Sequence, residues 1–133
     1  MSTFMLRIVT PDKMFFTGEV ENLIIMSVDG EIGILPGHIS MVVALESSPI
    51  RMKYNGAWKH AALSGGFAQI KGHEVNILAD SAEWPEDIEV NRAIEAMKRA
   101  EERIQAHKSD LEYMRSQVAL KRSLARLHVA KGE

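Results

Sequence analysis

Phe4, Leu6 and Ile8 alternate with Met5, Arg7 and Val9, and Thr10-Pro11-Asp12 then turns the chain. A period of two predicts a strand with one buried face. Val20 to Val28 is a second apolar run, closed by Asp29-Gly30, and Ile32 to Leu35 a third, closed by Pro36-Gly37. Met41 to Leu45 follows. Ile50 to Tyr54 alternates cleanly, meets Asn55-Gly56, and Ala57 to Ala61 returns, which is the strongest short-range signal for a β-hairpin. Phe67 to Ile70 and Val75 to Leu78 flank Lys71-Gly72-His73. Short strands broken by regular turn residues predict an antiparallel β-sandwich or barrel.

The pattern changes after Trp84-Pro85. Eight of the nine glycines and all four prolines lie at or before position 85, and none occurs from Asp87 to Ala130. Without those breakers the second part is expected to be helical. Val90, Ala93, Ile94, Met97, Glu101 and Ile104 fall on one side of a first helix, for which Asp87 is the expected N-cap. Ser109-Asp110-Leu111-Glu112 has the form of a capping box and starts a second helix, with a turn near His107. A short connection makes the pair an antiparallel hairpin.

The second helix carries two apolar stripes. One holds Tyr113, Leu120, Leu124 and Leu127, and the other Leu111, Met114, Val118, Ala125 and Val129. A helix sticky on two sides needs two neighbours: the first helix for one stripe, the sandwich or another protein for the other. The expected class is therefore β plus α. An antiparallel sandwich over residues 1–84 is followed by a two-helix hairpin over 85–133.

Composition narrows the function. The chain has 133 residues, enough for one average domain or two small ones. It has no cysteine, which excludes a disulfide framework, a zinc finger and cysteine catalysis. A formal net charge of −2 argues against generic nucleic-acid binding. No apolar run approaches the roughly 20 residues of a membrane span. The N-terminal residues lack the charged-then-apolar order of a secretory signal, so the expected setting is intracellular and soluble.

Charge is unevenly spread. Residues 113–132 hold Arg115, Lys121, Arg122, Arg126 and Lys131 and no acid. Arg115, Arg122 and Arg126 are spaced i, i+7 and i+11, one stripe of a helix. Such a stripe is either a solvated face aided by the helix dipole or a docking strip for acidic groups or phosphates. In an antiparallel hairpin Arg92 reaches the level of Arg122, and Arg99 lies two turns from Arg92 on the same side. Gathered arginines repel unless anions sit among them. Glu83, Glu86, Asp87 and Glu89 can supply that charge, and so can a bound polyphosphate.

Catalytic signatures are missing. Gly30 to His38 is glycine-rich but lacks the Gly-Lys-Ser/Thr of a phosphate loop, so it reads as turn geometry. Ser64-Gly65-Gly66 is not a nucleophile elbow. His38, His60, His73, His107 and His128 show no metal-ligand spacing. The expectation is a non-enzyme.

Four segments in order carry a resemblance: Val9-Thr10-Pro11-Asp12, Gly18-Glu19-Val20-Glu21, Asp29 to His38, and Ser64-Gly65-Gly66-Phe67-Ala68. Together with total length and the passage from strands to a helical hairpin, they resemble the epsilon subunit of bacterial F-type ATP synthase, of the bacillus kind. The resemblance implies a peripheral rotor subunit at the cytoplasmic face of the cell membrane. Its sandwich would grip the gamma subunit and the c-ring in proton-driven ATP synthesis. Its hairpin would lie folded on the sandwich or extend into the alpha/beta catalytic head, where it opposes ATP hydrolysis. It also implies ATP as a regulatory ligand, with magnesium as an accompanying ion, that favours the folded hairpin. The matching motif stands as Ile88-Glu89-Val90-Asn91-Arg92-Ala93, with Glu89 where the family pattern has Asp. The implied nucleotide contacts are Glu83, Glu89, Arg92, Ala93, Arg99, Arg122 and Arg126. The implied contact with the head is Arg115, Lys121, Arg122 and Arg126. The residues alone leave open an adaptor of the same architecture outside this assembly, which would show no affinity for gamma.

Overall fold

The structure, a computed structural model, describes residues 2–132. Ten strands form two five-stranded sheets: β1 (Phe4–Thr10), β2 (Lys13–Val20), β3 (Asn22–Ser27), β4 (Gly30–Ile34), β5 (His38–Ala44), β6 (Ser48–Tyr54), β7 (Ala57–Ser64), β8 (Phe67–Gly72), β9 (Glu74–Leu78) and β10 (Ser81–Glu83). The first sheet has the order β2-β1-β9-β8-β5 and the second β10-β7-β6-β3-β4. Between them lies a core in which Leu6, Ile8, Leu23, Ile34, Met52 and Ile77 are fully buried. Alternation drives this arrangement, because every second side chain of a strand points to the same face. Thus Phe4, Leu6 and Ile8 are buried while Met5, Arg7 and Val9 are only half-buried.

The expected antiparallel sandwich needs one correction: β1 and β9 pair in parallel, with Leu6 opposite Val75. Parallel neighbours need a long crossover and leave no turn signal in the sequence. The hairpin at Asn55-Gly56 forms as expected, with both residues at positive φ, 52° and 78°.

Two strands leave weak traces in the pattern. In β2 the register shifts opposite Ile8/Val9, and Phe15 and Phe16 are both buried. A bulge of this kind breaks alternation. It lets Phe15 stack on Trp84 at 4.4 Å between ring centroids, while Phe16 meets Tyr54 edge-on at 5.3 Å. β10 has only three residues and is set by its pairing with β7.

Helix α1 spans Val90–Ala106 and α2 Asp110–Ala130. Asp87 is not the N-cap of α1. It ends a 3-10 turn, Pro85–Asp87, and Glu89 occupies the cap position without a side-chain cap bond. Ile88 between them is extended and buried against Ala62 and Val129, which delays the helix start. Ser109 caps α2 as its sequence predicts, its Oγ accepting from the Glu112 amide at 3.1 Å. His107 closes α1 in the left-handed region, stacks on Tyr113 and lies 3.1 Å from Asp110.

The seam between the helices is made of small residues. Ala93 and Ala100 of α1 are fully buried, as are Ser116 and Ser123 of α2. Ala100 and the two serines were not among the expected contacts, and Glu101, which was, is exposed. Small side chains at heptad spacing let helix backbones approach closely.

Helix α2 is the middle layer, packed on β6 and β7 on one side and on α1 on the other. The stripe facing the sandwich is only half covered. Ala125 and Val129 are buried, whereas Leu111, Met114 and Val118 stay 52–63% exposed. The N-terminal half of α2 overhangs the sheet it packs on.

Candidate functional site

The site is the seam where α2 crosses the second sheet. Along β7, Ala61 and Leu63 point into the core, so Ala62 and Ser64 face outward under the helix. Val129 and Ile88 pack on Ala62 and make the apolar floor of the contact. Three consecutive cations of α2 are anchored around it. Lys121 Nζ donates to Glu46 Oε2 at 2.7 Å, Arg122 Nε donates to Ser64 Oγ at 2.8 Å, and Arg126 meets Glu83 at two points. In that last pair Nε lies 2.7 Å from Oε1 and Nη2 donates to Oε2 at 3.2 Å. Only Nη2 makes a hydrogen bond; the buried Nε sits at ion-pair distance without hydrogen-bond geometry, so the contact is charge-assisted through a single bond. The Arg126 and Glu83 side chains are 22% and 29% exposed, and those of Lys121 and Glu46 57% and 28%.

The remaining residues singled out by sequence fall as follows. Ala93 is completely buried between the helices, where only a small side chain fits such an approach. Glu89 is exposed, and its carbonyl accepts from the Ala93 amide at 3.0 Å. Arg92 and Arg99 are exposed on α1. Ile94, Met97, Leu124 and Leu127 line a shared cleft on one flank of the hairpin. At about 100° per residue, Arg92 and Arg99 turn away from that flank on α1, as Arg122 and Arg126 do on α2. The four arginines therefore stand on one side of the hairpin, with Glu83 as the carboxylate paired among them. Arg115 is apart from this group. It borders an apolar cavity of about 860 Å³ with Ile104, Leu111, Met114 and Val118.

Glu46 and Ser64 were not among the expected residues. Each lies far along the chain from α2, so no local pattern marks them. Ser64 is buried and polar, which is the one signal that a partner must reach it. Among the described residues no cluster of His, Asp or Glu could hold a metal ion. No helix among them is long and apolar enough to cross a membrane.

The other sheet carries a separate ionic contact. The Glu74 carboxyl is held below its ordinary value of 4.5 by a hydrogen bond from Asn76 and then by Arg7. Strand β9 carries this pair away from the seam.

Comparison with known proteins decides the family. The model of the ATP synthase delta/epsilon chain beta-sandwich domain matches residues 3–85, and that of the delta/epsilon chain long alpha-helix domain matches residues 86–131. The chain belongs to the ATP synthase delta/epsilon family. A protein of Ruminiclostridium cellulolyticum named ATP synthase epsilon chain is 50% identical over 127 residues, covering 96% of this chain and 95% of that one. The protein of the same name from Bacillus licheniformis is 40% identical over 131 residues, covering 98% and 100%. A chain in the cryo-EM structure of Euglena gracilis mitochondrial ATP synthase, OSCP/F1/c-ring in rotational state 1, shares the fold. Its TM-score is 0.85 at 23% identity, over 98% of this chain and 82% of that one. The resemblance carried by Gly30 to His38 and the other segments thus holds, and so does the sandwich-plus-hairpin class.

Proposed function

We propose that this delta/epsilon chain is a non-catalytic central-stalk rotor subunit that couples gamma to the c-ring and restrains ATP hydrolysis through a mobile hairpin. The observation that carries the reading is the double use required of one basic strip. Lys121, Arg122 and Arg126 are held by the sandwich when the hairpin is folded. They cannot at the same time meet the acidic groups of an alpha/beta head. Such exclusivity is what a two-state element needs. The uncovered apolar half of α2 supports the same reading, since Leu111, Met114 and Val118 gain a partner only if α2 leans on another subunit. Arg115 travels with that half.

On the sandwich, Ile39 is 81% exposed in the segment that follows Pro36-Gly37. Among the described residues it is the most exposed large apolar side chain, and it is the one proposed for the c-ring contact. Phe67, Leu78 and Val42 are exposed on the first sheet and suit gamma. Contact with the membrane is then indirect, through the ring, on its cytoplasmic face.

ATP is the ligand proposed for the arginine side of the hairpin, held by Glu83, Glu89, Arg92, Arg99, Arg122 and Arg126, while the buried Ala93 serves it only by letting the helices approach. Magnesium would accompany its phosphates without a ligand set of its own here. Arginine forks suit phosphate oxygens. A ligand that binds only the folded hairpin shifts it by roughly 2.7 kcal/mol at one hundred times its Kd, enough to reverse a modest preference.

The test compares hydrolysis by the reconstituted head and stalk with and without residues 85–133, together with calorimetric titration of the isolated chain with ATP. Faster hydrolysis without the hairpin, and a saturable heat with ATP, are expected. Equal hydrolysis overturns the inhibitory role. Absence of heat at millimolar ATP overturns the nucleotide role.

A further inference from the structure

The sandwich-side partners of the basic strip come from three separate places in the chain. Glu46 lies in the β5–β6 connection, Ser64 ends β7, and Glu83 ends β10. Sheet pairing brings them together. Ser48, two residues beyond Glu46, pairs with Leu63, and Glu83 pairs with Ala62. Each acceptor sits on backbone that is already tied down. The Glu46 amide donates to the Met26 carbonyl at 3.1 Å, and its own carbonyl accepts from Ser48 Oγ at 3.3 Å. The Ser64 carbonyl accepts from the Asp80 amide at 3.1 Å. Their counterparts span Lys121 to Arg126, about 7.5 Å of helix.

We propose that Glu46, Ser64 and Glu83 form a built-in receptor for the basic strip of α2, a surface on the sandwich that stands in for the acidic surface of the catalytic head and sets how readily the hairpin is released. This rests on the reading that the same strip meets the head. Two features separate the receptor from incidental surface pairing. Its acceptors sit on backbone held by bonds that do not involve the helix, so only their side chains have to be ordered when α2 docks. Its chemistry also differs by position: a carboxylate for the lysine, a hydroxyl for Arg122 and a carboxylate bonded through Nη2 for Arg126. Glu46 and Ser64 act on the hairpin's position and lie outside the residues proposed for the nucleotide. A change at Glu46 therefore reaches the nucleotide only through the equilibrium between docked and released hairpin.

The consequence is counter to the usual effect of damage at a distance. Loss of a sandwich carboxylate should strengthen inhibition, because a freed strip is available to the head. The measurement is hydrogen exchange of the α2 amides over 119–127 in the full chain, for wild type, Glu46→Gln, Glu46→Lys, Ser64→Ala and the charge swap Glu46→Lys with Lys121→Glu. Exchange is expected to rise roughly two- to fivefold in the Glu46→Gln chain and by more in Glu46→Lys, and to return toward wild type in the swap. Unchanged exchange in Glu46→Lys, or a swap no better than either single change, overturns the receptor. Hydrolysis by enzyme assembled with Glu46→Lys is read in parallel and is expected to fall. Raised exchange with unaltered hydrolysis upholds the receptor and overturns the inhibitory reading instead. Ser64→Ala is the second variant, since loss of a hydroxyl leaves the fold of β7 intact.

Discussion

Gly66 is the residue whose replacement the structure forbids most clearly. It has φ of +113°, and a Cβ built on it would sit 1.9 Å from the Leu78 carbonyl oxygen. Neither problem can be relieved by a rotamer, because the obstacle is backbone. Gly66→Ala is expected to cost roughly 3 kcal/mol or more, by strain and by displacement of β9. Gly33→Ala is the control: it has nothing within 4 Å of its new atom and no positive φ, and should stay within about 1 kcal/mol. Urea unfolding of both chains separates the cases. Sequence marked both positions only as glycine in turn-rich stretches. It could not distinguish them, because a close approach to Leu78 exists only after β8 and β9 have paired.

At the scale of elements, the legible signals were those completed within a few residues. Asn55-Gly56 fixed a hairpin, and Ser109 with Glu112 fixed the start of α2. Ser109→Ala removes the acceptor for the Glu112 amide and is expected to destabilise α2 by about 1 kcal/mol, read as faster exchange of its first-turn amides. The elements that escaped were those shaped by distant partners. Asp87 is a good N-cap by type, yet burial of Ile88 on Ala62 and Val129 pulls the chain out of helical geometry at that point. β2 lost its alternation to a bulge whose cause is the pairing with β1. In α2 both stripes were readable. Which of their residues would be covered was not, because the extent of the sheet beneath is not a property of the helix.

The whole molecule joins two unlike halves. The sandwich has a continuous core that draws on Trp84 but on nothing beyond it in α1 or α2. The hairpin closes on alanine and serine, which bury little apolar area. Residues 1–84 alone are therefore expected to unfold cooperatively, with a midpoint near that of the full chain. An isolated 85–133 segment should lose most of its helical circular dichroism. Most helical stability in proteins comes from tertiary packing of an apolar face, which the isolated segment would lack. A stable, fully helical isolated hairpin would contradict the dependence of α2 on the sheet. On the proposed reading, that dependence is what would let a competing surface or a ligand worth a few kcal/mol reset the position of the hairpin.

What the sequence determined by itself was the class of each half, the turn chemistry, the location of the basic strip and the family. All of these are written in local pattern, composition and short motifs. Only the tertiary structure decided that β1 and β9 run parallel, that Ile88 breaks the entry to α1, and that Glu46, Ser64 and Glu83 converge on Lys121, Arg122 and Arg126. The physical reason is common to these cases. Each depends on residues dozens of positions apart, brought together by sheet pairing and burial, and free energy of that kind leaves no periodicity along the chain.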